Sequence, residues 1–125
     1  MDLIERRAVD VIGPDPLDVG GGLAELKWIA EYADLHSISI APHGIGDGIL
    51  GLAALIQVSA TLPQNFMAFE FPRIDPPWFD MVQGLPSPVI QDGFVTVGDR
   101  PGLGVVFDPE AAKAYLSEED AGFFD

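Results

Sequence analysis

Residues 8–15 have the sequence AVDVIGPD, residues 37–43 have SISIAPH and residues 65–70 have NFMAFE. Each segment is a short apolar run that ends at a residue able to do chemistry: Asp15, His43 and Glu70. In a parallel α/β sheet all strands point the same way, so residues just past consecutive strand ends meet on one edge. We therefore expect an acid, an imidazole and a second acid to converge there.

The segments between these runs have helical patterns. From Leu23 to Asp34 apolar residues recur every three or four positions, which predicts an amphipathic helix. Residues 49–62 (ILGLAALIQVSATL) are almost entirely apolar on one side and predict a buried helix. Residues 9–70 are thus predicted to form β-loop-α-β-loop-α-β, which is two consecutive right-handed crossover units with parallel strands.

The pattern changes after Phe71. Residues 71–89 are dense in proline and too irregular to predict a regular element. An Asp92-Gly93 pair between β-type runs predicts a hairpin, and a further turn and strand are expected over residues 99–108. Residues 109–116 (PEAAKAYL) predict a short final helix with Pro109 in its first turn.

Composition limits the possible partners. A chain of 125 residues that is 48% hydrophobic can build one modest domain. Its formal charge of −14 would repel a polyanion, so we expect neither a nucleic-acid partner nor an anionic membrane partner. Without cysteine there is no disulfide, thiolate nucleophile or Cys-based zinc site. The charged N-terminal residues and the lack of a ~20-residue apolar run predict a cytoplasmic protein.

Four segments together resemble a known family. They are PDPLDVGGGLAELKWIAEYA (14–33), IAPHG (40–44), PQNFMAFE (63–70) and DGFVTVGDRPGLGV (92–105). They resemble the C-terminal part of the mandelate racemase/muconate lactonizing enzyme group of the enolase superfamily, and within it the galactonate- and mannonate-type acid-sugar dehydratases. The resemblance implies an α/β fold corresponding to strands six to eight of a modified TIM barrel. Residues 1–72 would be a partial (β/α) barrel segment, and residues 73–125 a tail with a hairpin and a short helix in the same domain.

The same resemblance implies a role for each polar residue. His43 would be a general acid or base, Asp15 the acid that orients it, and Glu70 the group that bonds the substrate carboxylate as an enediolate forms. His43 and Glu70 would thus also bind substrate. Asp18 remains an alternative to Asp15, because the Gly-Gly pair that follows the acid in this family can be aligned in two ways at the three glycines 20–22.

The chemistry implied is proton transfer next to a carboxylate. A proton α to a carboxylate is very weakly acidic, so the enolate needs electrostatic stabilisation, which Mg²⁺ supplies in this family. The family's metal ligands lie on strands three to five, which have no counterpart here, so we expect no metal ligand in this chain. A barrel needs about 250 residues, and three parallel strands leave an unpaired edge. We therefore expect a truncated product or part of a longer enzyme, incomplete as a barrel, marginally stable and without full activity alone.

The expected function is therefore that of a fragment of a Mg²⁺-dependent lyase that dehydrates a sugar acid, a small-molecule carboxylate. The full-length enzyme would be a homo-oligomer. One alternative is a racemase or cycloisomerase of the same superfamily, since all share the enolate step. An alternative of another class is a non-catalytic truncated α/β fragment or an anion-binding module.

We also expect Asp47 to cap the following helix.

Overall fold

The computed structural model describes residues 1–44, 48–71 and 79–125, and its elements follow the predicted alternation of strands and helices. The predicted cap Asp47 lies outside the described residues. The helices and strands, in chain order, are α1 (Asp2–Glu5), β1 (Val11–Ile12), α2 (Gly22–Leu35), β2 (Ser39–Ile40), α3 (Gly48–Ser59), β3 (Val82–Gln83), β4 (Val106–Phe107) and α4 (Pro109–Ala112). None of the helices in these ranges is long and apolar enough to cross a membrane.

The first two apolar runs form a parallel pair. In β1 and β2, Val11 lies opposite Ser39 and Ile12 opposite Ile40. The backbone contact continues beyond the two short strands. The amide of Ala41 donates to the carbonyl of Ile12 at 3.0 Å, and the amide of His43 donates to the carbonyl of Pro14 at 3.1 Å. The two segments therefore stay side by side up to their polar ends.

The third apolar run lies on the other side of β2. It pairs in the predicted parallel direction, but as a single bridge between Ile40 and Phe66 rather than as a regular strand. Met67 donates its amide to Ile40 at 3.0 Å, and Glu70 donates its amide to Pro42 at 3.0 Å. These bonds carry the third run to the same edge as the other two, which is the arrangement that the sequence predicts.

Two helices cover the layer formed by β1, β2 and the third apolar run, which we call the parallel layer. The predicted helix over 23–34 is α2, and the predicted buried helix is α3, although it ends at Ser59, three residues earlier than expected. Leu26 of α2 packs against Leu55 and Val58 of α3, and Leu26 and Leu55 are fully buried. The opposite side of α3 carries a second apolar cluster, in which Ile49, Leu52 and Ile56 meet Val82 of β3. Helix α3 therefore joins the parallel layer to the tail.

The tail is more regular than its prolines suggest. β3 lies within residues 71–89, which the sequence predicts to be irregular, and it pairs antiparallel with β4, Val82 opposite Phe107. The strand of the predicted turn-and-strand unit is β4. The predicted Asp92-Gly93 turn is present, with both residues at positive φ, and it closes one antiparallel bridge between Gln91 and Phe94.

The predicted final helix is α4. The side chain of Asp108 accepts hydrogen bonds from the amides of Glu110 and Ala111, which caps the helix, and Pro109 occupies its first turn. The chain continues through a 3₁₀ turn to Tyr115, whose hydroxyl donates to Asp80 at 2.7 Å. That hydrogen bond, together with burial and the Asp80 charge, raises the pKa of Tyr115. The tail thus holds itself to the segment that leads into β3.

Candidate active site

The imidazole of His43 lies between two carboxylates at the polar edge of the parallel layer. Its Nδ1 is 2.7 Å from Oδ2 of Asp15, and its Nε2 is 3.5 Å from Oε2 of Glu70. Each group comes from the end of a different apolar run, so three segments that are 28 and 27 residues apart meet at one ring. The structure therefore brings together the three residues that the sequence predicts.

Asp15 is the buried member of this group. Its side chain is 5% exposed, whereas those of His43 and Glu70 are 42% and 51% exposed. Oδ1 of Asp15 accepts a hydrogen bond from the amide of Leu17 at 2.8 Å, which leaves Oδ2 directed at the imidazole. Hydrogen bonding to both oxygens favours the ionised carboxylate and fixes its orientation.

The Asp15 contact determines what the other ring nitrogen can do. An ionised carboxylate only accepts hydrogen bonds, so Nδ1 of His43 carries the hydrogen. In the neutral imidazole Nε2 then presents a lone pair, and the side chain that carries it is 42% exposed. His43 can accept a proton at Nε2 or release one from it, and Asp15 stabilises the charged imidazolium in between.

Glu70 lies with its carboxyl group beside Nε2. Its backbone is fixed through the hydrogen bond to Pro42, the residue before His43, while its half-exposed carboxyl group faces outward beside the ring. A ligand that approaches Nε2 therefore meets the Glu70 side chain as well.

The second acid of the loop after β1 has a different position. Asp18 is exposed, and its backbone amide donates to the carbonyl of Asp15 in the turn that leads to α2. The carboxylate that lies against His43 is that of Asp15. The sequence leaves the two acids as alternatives because both follow β1 closely, and only the position of the imidazole distinguishes them.

Sequence reasoning missed the small residues that let these segments approach one another. A Cβ on Gly13 would lie 2.9 Å from the carbonyl oxygen of Ala41, closer than packed atoms tolerate. Glycine at this position therefore allows the loop that carries Asp15 to approach the loop that carries His43. The signal in the sequence is a single glycine two residues before the acid, which by itself is typical of any turn.

A bound metal ion needs several donor side chains gathered around it. Among residues 1–44, 48–71 and 79–125 no group of three His, Asp or Glu side chains is arranged to bind one. Both oxygens of Asp15 accept hydrogen bonds, and the described side chains that lie nearby, His43 and Glu70, add one imidazole and one carboxyl group. Mg²⁺ prefers octahedral coordination by oxygen. This set of residues does not fit a magnesium site.

The sequence of this chain is similar to a known protein family and to several enzymes. The family described as enolase C-terminal domain-like matches residues 1–112. A D-xylonate dehydratase from Haloferax volcanii is 36% identical over 122 residues, which is 97% of this chain and 28% of that enzyme. A D-galactarolactone cycloisomerase from Agrobacterium fabrum is 36% identical over 114 residues, which is 86% of this chain and 30% of that enzyme.

Solved structures give the same picture. A mandelate racemase/muconate lactonizing enzyme-like protein from Rubrobacter xylanophilus superposes with a TM-score of 0.80 at 39% identity, over 94% of this chain and 29% of that protein. An enolase from Pantoea ananatis, crystallised with D-gluconate and Mg, superposes with a TM-score of 0.80 at 27% identity, over 94% of this chain and 28% of that protein. The chain thus spans less than a third of the length of these relatives, and its fold corresponds to a partial TIM-barrel region.

Proposed function

Because the chain belongs to the enolase C-terminal domain-like family, we propose that it carries the acid–base residues of a Mg²⁺-dependent lyase that dehydrates a sugar acid. The observation that carries this proposal is the position of His43, with Asp15 2.7 Å from one ring nitrogen and Glu70 3.5 Å from the other. The relatives include a D-xylonate dehydratase, a D-galactonate dehydratase family member and a D-mannonate dehydratase, which supports a sugar acid as the substrate class.

The proposed chemistry begins at Nε2 of His43. Dehydration breaks the C–H bond α to the substrate carboxylate and the C–O bond of the hydroxyl group on the next carbon. The hydroxyl group leaves as water once it has received a proton, and the resulting enol rearranges to a 2-oxo acid. Nε2 can take the α proton, or it can deliver the proton to the departing hydroxyl group. In either role Asp15 holds Nδ1 and stabilises the imidazolium.

Glu70 is proposed to bind the substrate carboxylate. Two carboxyl groups form a hydrogen bond only when they share a proton, so Glu70 would act in its protonated form while the enediolate develops. Its position beside Nε2 would place the α carbon of the bound acid near the imidazole. Binding energy at Glu70 would then grow as charge moves onto the substrate oxygen atoms.

Mg²⁺ would supply electrostatic stabilisation of the enediolate, as the family implies. Because the described residues do not form a magnesium site, we propose that its ligands lie outside them. The net charge of −14 agrees with a need for a bound cation, since an anionic substrate would otherwise enter a negative field.

A second candidate is a cycloisomerase or racemase of the same superfamily. The relative from Agrobacterium fabrum, a D-galactarolactone cycloisomerase, has the same 36% identity as the D-xylonate dehydratase, over 86% rather than 97% of this chain. These reactions also begin with transfer of the proton α to a carboxylate, so the same Asp15–His43 pair would serve. The non-catalytic alternative is an anion-binding module.

A chimeric enzyme tests the proposal. In it this chain replaces the matched 122-residue portion of the Haloferax volcanii D-xylonate dehydratase. The purified chimera is incubated with Mg²⁺ and with D-xylonate, D-mannonate, D-galactonate or D-galactarolactone, and products are identified by mass and NMR. We expect loss of water from at least one acid. The control is the relative without its matched portion, which should be inactive. A folded chimera that dehydrates none of the acids would contradict the proposal.

A further inference from the structure

Gly44, the residue after His43, has no room for a side chain. A Cβ atom at this position would overlap Cδ2 of Leu55 and would lie 3.3 Å from the carbonyl oxygen of Glu70. The backbone at Gly44 is therefore packed directly between helix α3 and the end of the third apolar run. This contact lies on the side of His43 that faces Glu70.

The neighbours of Gly44 are not free to move apart. Leu55 is fully buried and belongs to the apolar cluster between α2 and α3, so its side chain has little space for another rotamer. Glu70 is joined to the same loop by the hydrogen bond from its amide to Pro42, a fully buried residue. An added methyl group would thus separate the loop at 42–44 from the backbone of Glu70.

We propose that Gly44 is a positioning residue that sets the spacing between Nε2 of His43 and the carboxyl group of Glu70. Its role in catalysis rests on the proposed function, but the distance between the two side chains is a property of this chain alone. On the opposite side of the ring, the Asp15–His43 pair is set by Gly13 and by the hydrogen bond from His43 to Pro14. The two glycines thus fix the two sides of the imidazole separately.

The spacing can be measured without any catalytic assay. Asp15 and Glu70 are the ionisable groups described beside the His43 ring, and a carboxylate near Nε2 favours the protonated imidazole. Proton NMR of the 125-residue chain follows the His43 ring signals as the pH is varied. The chain has two histidines, so His36 serves as an internal reference. The variants are Gly44→Ala, Glu70→Gln, the double variant of both, and Gly98→Ala.

We expect Glu70→Gln to lower the titration midpoint of His43, and Gly44→Ala to reproduce more than half of that downward shift. In the double variant Gly44→Ala should add nothing to the effect of Glu70→Gln. Gly98→Ala is the matched control, since a Cβ there meets no atom within 4 Å and should change neither histidine. The His36 midpoint should stay constant throughout.

A compensating change tests the physical cause. Leu55→Ala removes the atom that the new methyl group would overlap, so Gly44→Ala combined with Leu55→Ala should return the His43 midpoint toward that of the Leu55→Ala single variant. A wild-type midpoint in folded Gly44→Ala would overturn the proposal. So would loss of the folded spectrum in both the single and the compensated variant, because glycine would then be required for folding rather than for spacing.

These results separate the present proposal from the proposed function. If the His43 midpoint responds to Gly44→Ala while the chimera dehydrates no sugar acid, the spacing role stands and the lyase assignment fails. If the chimera is active and Gly44→Ala leaves the His43 midpoint unchanged, the lyase assignment stands and the spacing role of Gly44 fails.

Discussion

The two nitrogen atoms of His43 have different surroundings, and this difference underlies the proposed chemistry. Nδ1 faces a carboxylate that is 5% exposed and held by a backbone amide, whereas Nε2 faces a carboxyl group that is half exposed. The first contact orients the ring, and the second leaves a half-exposed carboxyl group beside Nε2. A catalytic acid–base residue needs both properties, an orienting partner and an accessible nitrogen.

Asp15→Asn should lower the turnover of the chimera by about 10²-fold or more, because the amide cannot stabilise the imidazolium as a carboxylate does. Dehydration rates measured at saturating and at low substrate concentration test this expectation. Asp18→Asn is the matched control, since it removes the same charge from an exposed side chain in the same loop. An equal or larger loss in Asp18→Asn would assign the orienting role to Asp18 instead.

At the scale of elements, one side chain joins three segments. The amide nitrogen of Asn65, at the start of the third apolar run, donates to the carbonyl of Ala30 at 3.0 Å and to that of Ile38 at 2.9 Å. Ala30 belongs to α2, and Ile38 directly precedes β2. The bonds therefore anchor the third run, at the end opposite to Glu70, to its two neighbours.

Asn65→Ala should reduce the free energy of unfolding by about 1–3 kcal/mol, because it leaves two partly buried carbonyl groups without this donor. Urea unfolding followed by circular dichroism measures the change. Gln64→Ala is the control, since Gln64 is the exposed neighbour in the same turn. Equal stability of Asn65→Ala and Gln64→Ala would show that the two hydrogen bonds contribute nothing net.

The elements could be predicted from the sequence where their pattern is local. Apolar spacing of three and four fixes α2 within one residue at each end, and the Asp92-Gly93 pair identifies a two-residue turn. The pairing of β3 with β4 could not be predicted, because the strands are short, 25 residues apart at Val82 and Phe107, and surrounded by proline and glycine. Such pairing depends on packing against α3, which no local pattern reports.

In the site, the sequence could predict which strand ends meet but not the contacts between individual side chains. The parallel arrangement alone brings Asp15, His43 and Glu70 to one edge. The choice between Asp15 and Asp18 needed the position of the ring, and the importance of Gly13 and Gly44 needed the distances to neighbouring backbone and side-chain atoms. A glycine beside a functional residue is too common in loops for its sequence position to indicate a role.

At the scale of the whole molecule, charge is the dominant feature. Twenty acidic residues against six basic ones give the chain a formal charge of −14, and compact folding brings these charges together. Mutual repulsion then opposes the folded state. Raising the ionic strength from ~0.01 M to ~0.15 M shortens the Debye length from ~30 Å to ~8 Å and should weaken this repulsion.

The free energy of unfolding of the 125-residue chain should therefore rise with NaCl concentration, as measured by urea unfolding at each salt level. A charge-reduced variant provides the comparison. Replacing Glu118, Glu119 and Asp120 by Gln, Gln and Asn removes three exposed negative charges, from −14 to −11, and should reduce the salt dependence. Stability that is independent of salt in both proteins would show that repulsion is not significant.

The central claim is that His43 transfers a proton of the substrate, and His43→Asn in the chimera tests it most directly. Dehydration of the acid that the chimera accepts is measured beside the His36→Asn variant, which removes the other histidine of the chain, outside the site. We predict that His43→Asn lowers turnover by about 10²–10⁴-fold while the His36→Asn variant keeps the rate of the unmodified chimera. Turnover by His43→Asn at the unmodified rate would contradict the account.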